Sequence, residues 1–271
     1  MPKQRLDTLL VELNLCSSRE KAQRLIRAGE VKVSQHIIDK PGTQIDISAK
    51  IDLEEKLPYV SRGGYKLAKA LDVFKINVNN RICLDGGIST GGFTDCLLQN
   101  NAQKVYGVDV GYGQVAWKIR QDERVLLKER TNLRHLTYTE LYGEQTPANF
   151  GVVDVSFISL TKILEPLWKL LASPKEVVLL VKPQFEVGKA KVGKKGVVRN
   201  PDDHATCIAT VLETAKQLGW QYGNLTWSPV TGPAGNIEYL LWLNTNQENI
   251  MPDLAAIREI THQAVDSFSN K

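Results

Sequence analysis

Long hydrophobic runs are missing from this chain of 271 residues. The longest, such as residues 177–181, fall far short of the ~20 apolar residues that a membrane-spanning helix needs. Cysteine is scarce: Cys16, Cys83, Cys96 and Cys207 are scattered and form no C-x-x-C pair. That excludes a disulfide framework or zinc ribbon and suits reduced, buried thiols in a cytoplasmic protein. The histidines (His36, His135, His204 and His262) show no metal-ligand spacing, so no metal is expected. Repeats and low-complexity tracts are absent. The opening MPKQRLDTLLVELN alternates charge with apolar residues and does not read as a signal peptide.

What is present is an ordinary globular balance, 42% hydrophobic and 24% charged, with room for one large domain and a small module. The net charge of +4 says little, but its distribution says more. Arg19, Lys21, Arg24, Arg27 and Lys32 cluster near the start, against Glu20 and Glu30. Lys182, Lys189, Lys191, Lys194, Lys195 and Arg199 form a second cluster, against Glu186. Either would suit a polyanion or simply a solvated face.

Apolar spacing predicts a helix over residues 5–14, with Leu6, Leu9, Leu10 and Leu13 on one face. A second helix follows Ser17 or Ser18 and stops at Gly29. Short strands around Val31, Val33, Ile37, Ile38, Ile45 and Ile47 complete a small α+β unit, residues 1–56, expected to lean on its neighbour for core. Residues 57–61 read as a linker, and 62–271 as the main domain. After a helix over "SRGGYKLAKALDVF", seven strands are expected at 81–85, 105–109, 125–128, 150–155, 176–181, 222–228 and 237–243. Helices fall near 91–99, 112–120, 159–171 and 203–218, and a last one follows Asp253. This alternation predicts a mostly parallel sheet covered on both faces, its last two strands forming an antiparallel ribbon.

In such a sheet, ligands sit beyond the carboxyl ends of the strands. "CLDGGISTGGFTDCLL" is a glycine-rich turn at that place. The dinucleotide fingerprint fails because Ser89 stands where its second glycine belongs, and the phosphate loop fails because Phe93 follows Gly92. What remains is D-x-G-x-x-x-G-G (Asp85, Gly87, Gly91, Gly92), with a second acid, Asp109, ending the next strand. The arrangement resembles the S-adenosylmethionine site of Rossmann-like methyltransferases. There, an acceptor-only carboxylate takes the ribose hydroxyls. Asp154, Lys182 and Glu238 also sit at strand ends, and Lys66 lies just inside the preceding helix. Charges set in apolar runs are costly unless paired.

The pieces "SRGGYKL", "STGGFTD", "GVDVGYGQ", "RTNLRHL", "DVSFISL", "LVKPQFE", "KGVVRNP" and "GNIEYLLWL" together resemble the TlyA (hemolysin A) family of ribosomal RNA 2′-O-methyltransferases. Its catalytic domain is of the FtsJ type, and residues 1–56 resemble the RNA-binding module of ribosomal small-subunit protein four. The resemblance implies an α/β fold with a seven-stranded Rossmann-like sheet, and S-adenosylmethionine held by Asp85, Gly87, Ser89, Thr90, Gly91, Gly92, Phe93, Asp109 and Asn132. It implies a Lys-Asp-Lys-Glu tetrad at Lys66, Asp154, Lys182 and Glu238. Asp154 and Glu238 would orient the two lysines, and both are expected as carboxylate partners of Lys182. Lys69, one turn after Lys66, is expected to face solvent or RNA. One departure is the small Gly86 between Asp85 and Gly87, where the family often has a larger residue.

A ribose 2′-hydroxyl needs help to lose its proton. A neutral Lys182 would act as general base, and a charged one would stabilise the developing alkoxide. Arg5, Arg19, Lys21, Arg24 and Arg27 would grip RNA phosphates, and the lysine-rich loop 189–199 would close over the target nucleotide. Three rival readings are a base methyltransferase, a membrane-active hemolysin and a non-catalytic RNA-binding protein. "DVSF" lacks the prolines of the first, and no apolar span supports the second.

Overall fold

The structure is a computed structural model and describes residues 2–27, 29–53, 58–246 and 250–269. Residue 57, where the expected linker begins, lies outside that set. The chain divides into two compact units, Met1–Pro58 and Tyr59–Lys271.

The first unit runs β1 (Lys3–Arg5), α1 (Leu6–Glu12), α2 (Arg19–Arg27), β2 (Val31–Val33), β3 (His36–Ile37), β4 (Gln44–Asp46) and β5 (Ile51–Leu53). β1 pairs with β4, and β2 is the centre of a small sheet in the order β3-β2-β5. Ser18 caps α2, its Oγ accepting from the Lys21 amide at 3.2 Å. The first helix is shorter than its apolar spacing predicts. Leu13 is exposed instead of inward, because the chain leaves the helix there and Asn14 turns into the left-handed region at φ 55°. Leu6, Leu9, Leu10, Cys16, Ala22, Ile26, Val31, Val33 and Ile45 form an apolar centre of the unit's own.

The second unit begins with α3 (Gly63–Phe74), β6 (Ile82–Gly86), α4 (Gly92–Gln99), β7 (Lys104–Val108), α5 (Trp117–Arg120), β8 (Val125–Lys128), α6 (Tyr138–Tyr142) and β9 (Phe150–Val153). It continues through α7 (Leu164–Leu170), β10 (Glu176–Val181), α8 (Pro183–Glu186), α9 (Pro201–Gln217), β11 (Gln221–Trp227), β12 (Tyr239–Asn244) and α10 (Leu254–Ser269). The seven strands form one sheet in the order β11-β12-β10-β9-β6-β7-β8. β10, β9, β6, β7 and β8 are parallel, while β12 runs antiparallel to both β10 and β11. The late antiparallel ribbon is thus present, with its second strand lying inside the sheet.

Separate apolar layers cover the two faces. Leu67, Ala70, Leu71 and Phe74 of α3 join Phe93, Cys96 and Leu97 of α4 on one face. Leu164 and Leu167 of α7, Ile208 and Val211 of α9, and Ile257 and Ala264 of α10 share the other. Asp253 starts α10 as expected, its Oδ1 accepting from the Ala256 amide at 2.8 Å. The helix expected over 112–120 shrinks to Trp117–Arg120. Two carboxylates hold the preceding turn open: Asp109 takes the Gly111 amide at 2.7 Å, and Glu129 takes the Gly113 amide at 2.8 Å. The helix expected over 159–171 divides into a tight turn, Leu160–Lys162, and α7.

Candidate active site

Strand register assembles the site. Gly86 pairs with Val108 on one side and Val153 on the other. One residue further on, the three chains present Gly87, Asp109 and Asp154 together at the carboxyl edge of the sheet. β12 runs the opposite way and pairs Tyr239 with Val181, so Glu238 and Lys182 emerge side by side at the same edge.

The glycine turn brings backbone close to backbone. Gly87 has φ 85°, and a Cβ there would lie 2.5 Å from the carbonyl oxygen of Asp154. Beside it, a Cβ on Gly92 would lie 2.2 Å from Ser61 Oγ. A side chain at either glycine would therefore collide with the end of β9 or with the Ser61–Gly64 turn that opens α3. Asp109 takes the Ser89 amide at 2.8 Å through Oδ2, which fixes its carboxylate against the turn. A cleft of about 300 Å³ opens there, lined by Gly87, Ser89, Asp109, Asn132, Asp154 and Phe157 among others. An adjoining cleft of about 210 Å³ is lined by Lys66, Ser89, Thr90, Gly92, Phe93 and Asp154. Gly87, Ser89 and Asp154 line both, so the two share a wall. Gly91 lies behind it, packed on Ile119.

Asp85 is fully buried at the end of β6. Its Oδ2 accepts from Thr94 Oγ1 at 2.6 Å, while Oδ1 has no hydrogen-bond partner among the described residues. Burial, opposed by the Thr94 bond and reinforced by Asp154, pushes this carboxyl up to about 7. A buried acid with a spare oxygen beneath a glycine turn and a second acid on the next strand match the donors of S-adenosylmethionine, an ammonium and a ribose diol. The donor set fits that group.

The four tetrad residues form two ion pairs. Lys66 Nζ donates to Glu238 Oε2 at 2.5 Å, and both side chains are buried. Lys182 Nζ lies 2.6 Å from Asp154 Oδ1 and donates to Ser156 Oγ at 2.9 Å. The expectation that Glu238 partners Lys182 is therefore corrected. Among the described residues, Glu238 pairs with Lys66 of α3, and Asp154 is the carboxylate paired with Lys182. Lys69 is corrected too: it is half-buried, its Nζ 4.5 Å from the centre of the Trp227 ring.

Several contributors escaped the sequence reading. Ser156 holds Lys182. Phe157 is 92% exposed with φ 64°, and its ring lies 5.1 Å from that of Phe185. Asn236 takes the Val198 amide at 3.0 Å and donates to the Gly196 carbonyl at 2.8 Å, which ties the basic loop to the start of β12. His204 helps: its Nε2 donates to the Val198 carbonyl at 2.9 Å, which leaves Nδ1 to accept from the Tyr239 hydroxyl at 2.8 Å. The motif "GNIEY" carried the signal for Asn236 beside Glu238, and "DVSF" carried it for Ser156 and Phe157.

In the first unit, Lys21, Arg24 and Arg27 are exposed on α2, while Arg5 and Arg19 converge on Asp7. Among the described residues, no helix is long and apolar enough to cross a membrane.

Residues 59–245 match the FtsJ-like methyltransferase family, and residues 4–51 match the S4 domain. The chain is 41% identical over 263 residues to the 16S/23S rRNA (cytidine-2′-O)-methyltransferase TlyA of Mycobacterium tuberculosis, covering 96% of this chain and 97% of that protein. It is 40% identical to hemolysin A of Brachyspira hyodysenteriae, over 87% of this chain and 98% of that one. A solved structure from Streptococcus thermophilus, described as a candidate hemolysin, superposes with a TM-score of 0.75 at 42% identity, covering 100% of this chain and 98% of the other. With its seven-stranded sheet, glycine turn and preceding RNA-binding module, the chain belongs to the FtsJ-like methyltransferase family and carries an S4 domain at its start.

Proposed function

We propose that this protein methylates a ribose 2′-hydroxyl of ribosomal RNA, using S-adenosylmethionine. The observation that carries the reading is the pair of ion pairs, Lys182–Asp154 and Lys66–Glu238, at the edge of the glycine-turn cleft. When bound, S-adenosylmethionine supplies an electrophilic methyl group on a sulfonium. Asp85, Gly87, Ser89, Thr90, Gly91, Gly92 and Phe93 would hold its amino-acid end, and Asp109 with Asn132 its ribose end.

The protein's own task is to bring a hydroxyl into line and manage its proton. Asp154 and Ser156 fix the Lys182 ammonium or amine in one place, so its position is set before substrate arrives. In neutral form, Lys182 takes the hydroxyl proton. In charged form, it steadies the oxygen as the proton leaves to water. Glu238 neutralises Lys66, which lines the cleft and would orient the ribose. The exposed Phe157 beside Phe185 offers an aromatic face to a base at the cleft's mouth. Arg5, Arg19, Lys21, Arg24 and Arg27 supply phosphate contacts, and ribosomal RNA as substrate places the protein in the cytoplasm.

The test is incubation of the purified protein with methyl-labelled cofactor and ribosomal subunits, followed by digestion to nucleosides. Label in a 2′-O-methyl nucleoside is expected. Label on a base would replace this reading with base methylation. No transfer despite RNA binding would leave a non-catalytic RNA-binding protein.

A further inference from the structure

Asp7 lies in the first turn of α1 with its side chain fully buried, yet it sits among cations. Its Oδ1 accepts from Arg5 Nε at 3.0 Å and from Thr8 Oγ1 at 3.4 Å. Its Oδ2 accepts from Arg5 Nη2 at 2.9 Å, Arg19 Nε at 3.1 Å and Gln23 Nε2 at 2.9 Å. A carboxylate offers about four lone-pair sites, so this one is saturated. The hydrogen bonds from Arg5, joined by those from Gln23 and Arg19, hold its carboxyl far below the usual carboxylate range. These neighbours favour its charged form.

The arginines, by contrast, are not used up. Their side chains remain 44% and 55% exposed. Arg5 spends one edge of its guanidinium on Asp7. Among the described residues, Arg19 hydrogen-bonds through Nε alone, so its terminal nitrogens have donors to offer an outside partner. Each guanidinium is a planar fork suited to phosphate oxygens. Long cationic side chains lose rotamer freedom on gripping a ligand, and that loss weakens binding. Here a buried anion has already removed it. Lys21, Arg24 and Arg27 of the same helix as Arg19 are exposed as well.

We propose that Asp7 is a positioning residue for RNA docking: it presets Arg5 and Arg19 as a rigid pair of forks for adjacent backbone phosphates. The proposal deepens the ribosomal-RNA reading and rests on it. It also reverses the sign that simple electrostatics predicts. Asp7 is a negative charge on a face that meets a polyanion, so removing it should tighten binding if only charge mattered.

The experiment measures binding of the full-length protein to isolated small and large ribosomal subunits across a salt series. Asp7→Asn keeps the shape and removes the charge. It is expected to bind about tenfold more weakly, the scale for re-ordering two long side chains. Because a buried substitution can disturb the unit, a second variant, Arg5→Lys with Arg19→Lys, changes only exposed positions and keeps every charge. It too is expected to bind about tenfold more weakly, with an unchanged salt slope because the number of phosphates neutralised is the same. Cofactor affinity, read by calorimetry, stays at the wild-type value in both. Wild-type-like or tighter RNA binding by either variant overturns the proposal. Failure of the wild-type protein to bind either subunit would instead remove the ribosomal-RNA reading itself.

Discussion

Replacing Lys182 with alanine removes a nitrogen that the structure holds at two points, 2.6 Å from Asp154 and 2.9 Å from Ser156. An acid-base group placed this way contributes about 10²- to 10⁴-fold to rate, or about 3–5 kcal/mol of barrier. Methyl transfer by Lys182→Ala is expected to fall by that factor. Folding should suffer little, because the Asp154 left behind is 23% exposed and can be hydrated; about 1 kcal/mol is expected, a shift of a few degrees in Tm. Cofactor affinity should hold or rise slightly, since Asp154 lines both clefts and would face a bound cation without its lysine. The assay is single-turnover transfer of labelled methyl to ribosomal subunits, with cofactor affinity measured alongside by calorimetry. Lys182→Arg separates the two roles, because arginine keeps the charge and cannot give up its proton. Retained activity there favours stabilisation of the oxygen, and loss is compatible with base catalysis or with misfit of the larger group. Near-wild-type turnover by Lys182→Ala would refute the assignment.

Asp109→Ala should weaken cofactor binding at least tenfold, about 1.4 kcal/mol, by removing a charge-assisted acceptor for the ribose. Unchanged affinity in the folded variant would take Asp109 out of the site. Glu238→Gln leaves the buried Lys66 without its counter-charge, and a loss of about 3–5 kcal/mol of stability is expected, read by urea unfolding. Asp85→Asn tests the raised carboxyl. A group whose folded pKa of about 7 exceeds its unfolded value favours the fold at low pH, and that contribution is lost as pH rises through 4 to 7. Asparagine mimics the protonated acid, so the variant should match the wild type near pH 4 and exceed its stability at pH 8, by roughly a few kcal/mol. A parallel pair of Tm-versus-pH curves would contradict this.

The sheet and most of its ligand edge were legible in the sequence because each relevant residue sits one step beyond an apolar run. Asp109, Asp154 and Lys182 each follow a strand directly, and Glu238 directly precedes one. Pairing between them was not legible. It depends on β12 entering between β10 and β11 in the opposite direction, which delivers Glu238 to Lys66. The short helices α6 and α8 were missed because one or two turns carry too few residues to show a period. The motif "DVSF" pointed to the neighbourhood of Phe157, but its letters do not show the left-handed backbone that throws this ring into solvent. In the S4 domain, the exposed arginines of α2 announced themselves by composition. The carboxylate beneath Arg5 and Arg19 did not, since a lone aspartate in an amphipathic helix looks like ordinary surface.

The position of β12 also sets a timetable. A chain made from its N-terminus has finished the cofactor turn, Asp154 and Lys182 well before residues 239–244 exist. Until those residues arrive, β10 is an unfinished edge, β11 has no neighbour in the sheet, and Lys66 has no counter-charge. A chain that has not yet reached residue 238 can therefore form the Lys182–Asp154 pair but not the Lys66–Glu238 pair.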